Sequence, residues 1–518
     1  MVWTVLGAEK DKVLFVSKSG TDGILHQGSY LTIIDGSKKF IVRVDESSQY
    51  NPYSPSPLIV DMDLSPLLPD QKAVNITNAT RIIEYPERED GMSSFIKPQL
   101  TARRSGQEDI DMAIGNKEGI PIFPATAFAR NIQNLCDEEG KFLQVKIPKD
   151  TFFYQMLIAG RTGSGKTVAM KYMAQYFIEE MGGCVLAINV KEEDLLTMDK
   201  PSKTKNPKVL KEWSDLKFTP RGLDTFRVYY PCNQNTNYST DVDLKKCEKI
   251  TLVTKHIDPE TLTGLIQNLS DLGADHLPQI FRYWKQEVME NNSTMTDFLN
   301  YLAQRYQERT FPIMNIRGDI LEPIRLFPGT YNNIYNSLNY ATNYFDVEEA
   351  KELEAKDILQ RGKMSVIDVT GKGGFTFGSI LLRDLLDKIY DAKSNKSSKI
   401  PILIIIDEVH EFYNTTRSRE ALQTLDSICR KGRSLEIGII FSSQNPEDIP
   451  KGISNVVNSK IYFKSESSSI KSLGTNVSGI DTESFKQGYA VARIHSLSQL
   501  KFLKFPMSLA GVNDDRGK

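Results

Sequence analysis

Gly160-Arg161-Thr162-Gly163-Ser164-Gly165-Lys166-Thr167 satisfies the pattern G-x-x-x-x-G-K-[ST] at every position. Its glycines let the backbone turn tightly around an anion, so that successive N–H groups point at it. A helix that follows adds the positive end of its dipole. In such a loop Lys166 reaches the β- and γ-phosphates of a nucleotide, and the Thr167 hydroxyl holds Mg²⁺. The flanks agree. Residues 154–158 read as a buried strand, and residues 168–179 carry helical spacing. ATP and Mg²⁺ are therefore the expected ligands, with residues 160–167 as the binding loop.

Working outward, a phosphate site of this kind needs a carboxylate at the tip of a buried strand. Ile402-Leu403-Ile404-Ile405-Ile406 runs straight into Asp407-Glu408. Ligands of open α/β sheets bind at the carboxyl ends of the strands, which is where this pair falls. Asp407 is expected in the Mg²⁺ shell and Glu408 as the general base that polarises the attacking water. The second acid separates a hydrolysing motor from a kinase, and it leaves His410 a structural part. Ile437-Gly438-Ile439-Ile440-Phe441 reads as a neighbouring strand, followed by Ser442-Ser443-Gln444-Asn445-Pro446. Gln444, then Asn445, is the candidate for contacting the γ-phosphate. Arg430-Lys431-Gly432-Arg433 precedes that strand, after an amphipathic helix starting near Ser418. In a ring, an arginine of one subunit can stabilise the transition-state charge in its neighbour's site. Arg433 is the first choice for that part and Arg430 the second.

Further strand-like runs at 184–190, 226–230, 365–369 and 460–463 alternate with helical ones, which points to an α/β fold with a parallel sheet. The expected division is a P-loop NTPase core over 151–240 and 363–518, interrupted at 241–362 by a helical insertion. Residues 279–290 and 296–308 carry helical spacing there. Residues 1–100 hold short β-branched runs separated by turns, among them Asp35-Gly36, and read as a small β-barrel. Residues 101–150 read as a connector packing on the core.

The chain has 518 residues, formal net charge -2, 40% hydrophobic and 25% charged residues, the balance of a globular protein. No global basic excess advertises nucleic acid, although a local basic channel depends only on where charge sits. Five scattered cysteines without a CxxC pair argue against a disulfide framework or a zinc site. No apolar stretch is long enough to span a bilayer, and the opening Met1-Val2-Trp3-Thr4 lacks a basic segment followed by an apolar block. A cytoplasmic protein without a membrane partner is expected. The clustered asparagines, such as Asn332, Asn333 and Asn336, lean towards a mesophilic source.

Together these elements resemble the HerA family within the HerA–FtsK group of ATPases. The resemblance is carried by the loop at 160–167, by Asp407-Glu408-Val409-His410, and by Cys429-Arg430-Lys431-Gly432-Arg433 leading into Phe441-Ser442-Ser443-Gln444. Residues 189–196 also look like the family's segment after the second core strand. It implies a RecA-like core and a homo-hexamer pumping double-stranded DNA through its centre, often with a partner nuclease (NurA-like). By position, Lys166, Thr167, Asp407, Glu408, Gln444 and Arg433 inherit the nucleotide roles. The chain departs in two places: Asn189 stands where many relatives carry an acid, and Leu435-Glu436 replaces a small or aromatic pair.

DNA contact is expected from Lys372, in the loop from Gly371 to Gly378 with its Phe375 and Phe377, or from Tyr413, Arg417 and Arg419. The function expected is an ATP-driven ring translocase working with a nuclease in DNA-end processing or anti-phage defence. The alternative is an ATPase scaffold in an anti-phage complex, regulating a nuclease or NAD-hydrolase with little DNA pumping. Hydrolysis indifferent to DNA would mark that alternative. FtsK-like and conjugative pumps usually carry membrane helices, which this sequence lacks.

Overall fold

The computed structural model describes residues 3–18, 25–50, 74–87, 93–114, 118–234, 236–265, 270–371, 374–413, 425, 428–445, 447, 449, 451–466, 479–497 and 499–514. Near the N-terminus, β1 (Trp3–Glu9), β2 (Lys12–Lys18), β3 (Tyr30–Asp35), β4 (Lys38–Tyr50), β5 (Val74–Tyr85) and β6 (Thr101–Arg104) form a closed antiparallel barrel in the order β1-β2-β5-β4-β3-β6. Alternation along the strands sends Val5, Phe15, Leu31, Ile33, Phe40 and Val42 into its core. The β3–β4 hairpin turns at Gly36, whose φ of 61° is the left-handed conformation that a two-residue hairpin turn requires. The barrel is seated on the rest of the chain by Tyr30 and Arg43, which both donate to the carbonyl of Gln499.

The other strands build a large mixed sheet. They are β7 (Ile120–Phe128), β8 (Asn131–Asn134), β9 (Val145–Ile147), β10 (Met156–Ala159), β11 (Cys184–Asn189), β12 (Thr225–Pro231) and β13 (Cys247–Thr251). After a separate hairpin of β14 (Thr310–Met314) and β15 (Ile320–Arg325) come β16 (Lys351–Glu352), β17 (Lys363–Asp368), β18 (Ile402–Ile406), β19 (Ile437–Ser443), β20 (Ser459–Tyr462), β21 (Tyr489–Arg493) and β22 (Phe502–Lys504). The order is β16-β13-β12-β17-β11-β18-β19-β10-β20-β21-β22-β7-β8, with β9 paired to β7. Strands from β16 to β20 run parallel and the remainder antiparallel.

Because side chains alternate across a strand, each central strand feeds two cores. Leu186, Ile188, Ile404, Ile406, Ile439 and Phe441 enter one, covered by Leu381, Leu385 and Ile389 of the helix Gly374–Ser394. Val185, Ala187, Leu403, Ile405 and Ile440 enter the other, covered by Met170, Met173 and Phe177 of the helix Lys166–Met181. Each of these side chains larger than alanine contributes about 1.5–3 kcal/mol on burial. Since neither face of β18 meets water, its sequence is an unbroken apolar run.

Several sequence expectations need correction. The strand expected at 154–158 starts later: Tyr154 ends the 3-10 helix Lys149–Tyr154, and β10 starts at Met156. The stretch 241–362 is more than helical. It holds the helices Asp271–Tyr283, Met295–Gln304 and Pro328–Ala341, but also the β14–β15 hairpin and two strands, β13 and β16, of the main sheet. Its helices use Phe281, Trp284, Phe298 and Tyr331 to extend one of the sheet's cores. Residues 101–150 supply β6 to the barrel and β7–β9 to the sheet. No helix among the described residues is long and apolar enough to cross a membrane.

Candidate nucleotide site

The parallel strands bring their carboxyl ends to one edge of the sheet. β10 ends at Ala159 and turns into the glycine loop, which leads into the helix beginning at Lys166. The loop has the backbone its glycines permit: Gly160, Gly163 and Gly165 have φ of 149°, 75° and 106°. Space is as decisive as torsion at Gly165, where a Cβ would stand 2.7 Å from the backbone N of Gly488. Lys166 is 7% exposed, and its ammonium group donates to the carbonyls of Gly160 and, at 3.4 Å, Arg161. Burial lowers its pKa, against the opposing pull of Glu408 and Asp407. A buried ammonium turned onto its own loop carbonyls lacks a strong anionic partner, and phosphate oxygens would provide one.

Asp407 and Glu408 follow β18 directly and are 4% and 2% exposed. The Asp407 carboxyl accepts from the Glu408 N–H at 3.0 Å, and burial pushes its pKa up, with the charge of Glu408 adding to the effect. Glu408 has a φ of 42°, a left-handed backbone costly for a residue with a side chain and found preferentially at functional sites. Its Oε1 pairs with the ammonium of Lys191 and accepts from Gln444 Nε2 at 3.3 Å. Its Oε2 is buried with no hydrogen-bond partner among the described residues, 3.5 Å from His410 Nδ1. Gln444 comes just beyond β19, the strand lying between β18 and β10. Asn445 is exposed next to it.

The structure thus brings Lys166, Asp407 and Glu408 into one charge cluster and bonds Gln444 to it. The donor set fits ATP with Mg²⁺: loop N–H groups and an ammonium for phosphate, with the Thr167 hydroxyl and the Asp407 carboxylate as hard oxygen ligands. Beside Thr167 and Val168 lies a cavity of ≈ 400 Å³ that reaches Lys171, Asp194 and Gly511. Arg161 points elsewhere and pairs with Glu466 and Glu483.

Arg433 is placed differently. It belongs to the 3-10 turn Gly432–Leu435 that precedes β19, whereas Gln444 follows that strand. At about 3.3 Å per residue, the seven-residue strand separates them by about 20 Å. Arg433 cannot complete the site of its own chain. It is exposed, with its guanidinium carbon 4.2 Å from the ring centre of Tyr154, and Tyr154 stacks at 3.7 Å on His495. Arg430 lies in a helical turn that ends at Lys431, just before it.

Two groups were missed from sequence, Lys191 and a buried carboxylate, Asp368, at the end of β17. Asn189 Nδ2 donates to Asp368 Oδ1 at 3.0 Å, while Tyr238 Oη at 2.7 Å and Gln234 Nε2 at 3.3 Å donate to Oδ2. The acid that Asn189 lacks is thus supplied by the adjoining strand. Among the DNA candidates, Lys372, Arg417, Arg419 and the side chain of Tyr413 lie outside the described residues. Phe377 is corrected: Gly374 already opens a helix, and Phe377 is buried 5.2 Å from the ring of Tyr344.

A strand interposed between the loop-bearing and acid-bearing strands, with an acid pair facing the loop, gives this chain the arrangement of a P-loop NTPase. No family model matches the chain. It is 24% identical over 338 residues to "DNA double-strand break repair helicase HerA" of Saccharolobus solfataricus, covering 63% of this chain and 57% of that protein. The protein of the same name from Pyrococcus furiosus is 26% identical over 346 residues, covering 58% and 55%. The chain therefore spans little more than half the length of these relatives. Among solved structures, VirB4 of Thermoanaerobacter pseudethanolicus aligns with a TM-score of 0.45 at 14% identity, over 76% of this chain and 98% of that one. Plasmid coupling protein TrwB in complex with ADP and Mg²⁺ gives 0.43 at 11%, over 78% and 97%. In its motifs and its curated matches the chain is similar to the HerA proteins.

Proposed function

We propose that this chain is one subunit of a ring, a homo-hexamer on the family pattern, that hydrolyses ATP to move double-stranded DNA. The observation carrying the reading is the division of its catalytic groups between opposite edges of one sheet: Lys166, Asp407, Glu408 and Gln444 at one, Arg433 about 20 Å away at the other. A site divided in this way is completed by a neighbouring copy, and head-to-tail contacts of that type close into rings.

In this reading the loop N–H groups and Lys166 bind the β- and γ-phosphates. Thr167 and Asp407 hold Mg²⁺, which when bound neutralises charge on the phosphate oxygens. Glu408 accepts a proton from the attacking water as the new O–P bond forms and the bond from the γ-phosphorus to its bridging oxygen breaks. Gln444 ties Glu408 to the end of β19, and the neighbour's Arg433 meets the charge developing on the γ-phosphoryl group. A partner nuclease or other effector, in DNA-end processing or anti-phage defence, follows the family pattern and belongs to the same proposal.

The test is ATP hydrolysis by the full chain with and without linear double-stranded DNA, alongside Lys166→Ala. Stimulation by DNA that disappears in the variant supports the translocase. Hydrolysis that needs Lys166 but ignores DNA would instead assign the scaffold role.

A further inference from the structure

Glu408 is the group whose timing matters most, because a general base free at all times would act on whatever occupies the site. In the structure it is engaged. Its Oε1 is held by Lys191, from the segment after β11, and by Gln444, from the end of β19. A carboxylate so buried needs a partner, and the Lys191 ammonium supplies one. The two halves of the ion pair are unlike: Glu408 is fixed at the tip of a buried strand, whereas the Lys191 side chain remains 37% exposed. Lysine is a point charge on a flexible stem with three rotatable donors, suited to changing partners. Lys191 also lies within the electrostatic reach of Lys166, whose protonation it opposes. Two ammonium groups therefore converge on the same place, where Glu408, Asp407 and Asp194 offset them.

We propose that Lys191 is a positioning residue that holds Glu408 while the site is empty and turns to the γ-phosphate when ATP binds, releasing the base only in the ATP-loaded state. The proposal rests on the ATPase reading of this site. A γ-phosphate carries more negative charge than one carboxylate and competes for the same ammonium. ADP lacks that group, so with ADP bound Lys191 stays on Glu408. Lys191 thereby makes the site distinguish ATP from ADP.

The test is equilibrium binding of a fluorescent non-hydrolysable ATP analogue and of fluorescent ADP to the full-length protein. Wild type, Lys191→Met, Lys191→Arg and Lys166→Ala are compared, with melting curves to verify folding. Loss of one charge-assisted contact is expected to weaken the analogue about tenfold or more in Lys191→Met. ADP affinity stays within about twofold, since it makes no such contact. Lys191→Arg restores most of the discrimination. Should Lys191→Met fail to fold, Lys191→Gln carries the same comparison. Unchanged analogue affinity, or equal loss for both nucleotides, would overturn the proposal and leave Lys191 a neutralising partner only. Wild type that binds neither nucleotide, with Lys166→Ala indistinguishable from it, would instead bring down the ATPase reading itself.

Discussion

The two edges of the parallel sheet differ in how far each is finished. At the carboxyl edge the charged groups have partners within the chain: Lys166 with loop carbonyls, Glu408 with Lys191 and Gln444, and Asp368 with Asn189, Gln234 and Tyr238. At the amino edge Arg433 is exposed, resting on the face of Tyr154, which in turn rests on His495. The first edge is a binding site built within one chain. The second presents a cation on a stacked aromatic support, as suits a group that acts outside its own chain.

The largest effect expected to test this contrast comes from Arg433→Ala. If Arg433 serves a neighbour's site, kcat falls about 10³-fold or more, as for arginine fingers generally. Nucleotide binding and melting temperature stay close to wild type, because the residue is exposed. A kcat within a few-fold of wild type would erase the difference between the edges.

At the carboxyl edge, Gly165→Ala places a Cβ against the backbone of Gly488 at a φ of 106°. Strain of about 1–3 kcal/mol and a displaced loop are expected to weaken nucleotide binding about 10- to 100-fold, read by titration with a fluorescent nucleotide.

Asn189→Asp checks whether that edge is as closely balanced as it looks. It sets a second carboxylate against Asp368 and the Glu192 carbonyl in place of a donor. A stability loss of about 2 kcal/mol at neutral pH is expected from the lost bonds and like-charge contact. The sign with pH follows from a raised folded-state pKa for one of the two acids. The folded variant then binds a proton more readily than the unfolded chain, so the deficit shrinks as pH falls and grows as it rises. Thermal melts across pH read it. A deficit independent of pH would mean that the acids do not interact.

The smallest effect is at the amino edge. Tyr154→Leu removes the ring beneath Arg433, a cation–π contact of about 0.5–1 kcal/mol at an exposed position. Turnover in the assembled protein is expected to fall about two- to fivefold with ADP affinity unchanged, while Tyr154→Phe keeps the ring and the activity.

How much was legible in the sequence follows from how local each signal was. Residues 402–406 were readable with their bounds because a strand buried on both faces is a continuous apolar run. Residues 160–167 and Asp407-Glu408 were readable because phosphate binding demands particular residues at fixed spacing. Lys191 was not: it meets Glu408 across 217 residues, and only the β11-β18 adjacency brings them together. Asp368 was hidden in the same way, its partners lying on β11 and the loop after β12. β13 escaped because Cys247-Glu248-Lys249-Ile250-Thr251 is short, charged and near the sheet's edge. Phe377 was misread because glycines around a helix start look like those of a loop, and sequence alone did not show Tyr344 waiting beside it.

One measurement bears most directly on the divided site: ATP hydrolysis by co-expressed Glu408→Gln and Arg433→Ala subunits, each inactive alone. In a ring with shared sites, roughly a quarter of randomly formed interfaces pair an intact Glu408 with a neighbour's intact Arg433. A corresponding fraction of wild-type activity is the expected result. A mixture as inactive as its two components would contradict a site completed by the adjacent subunit.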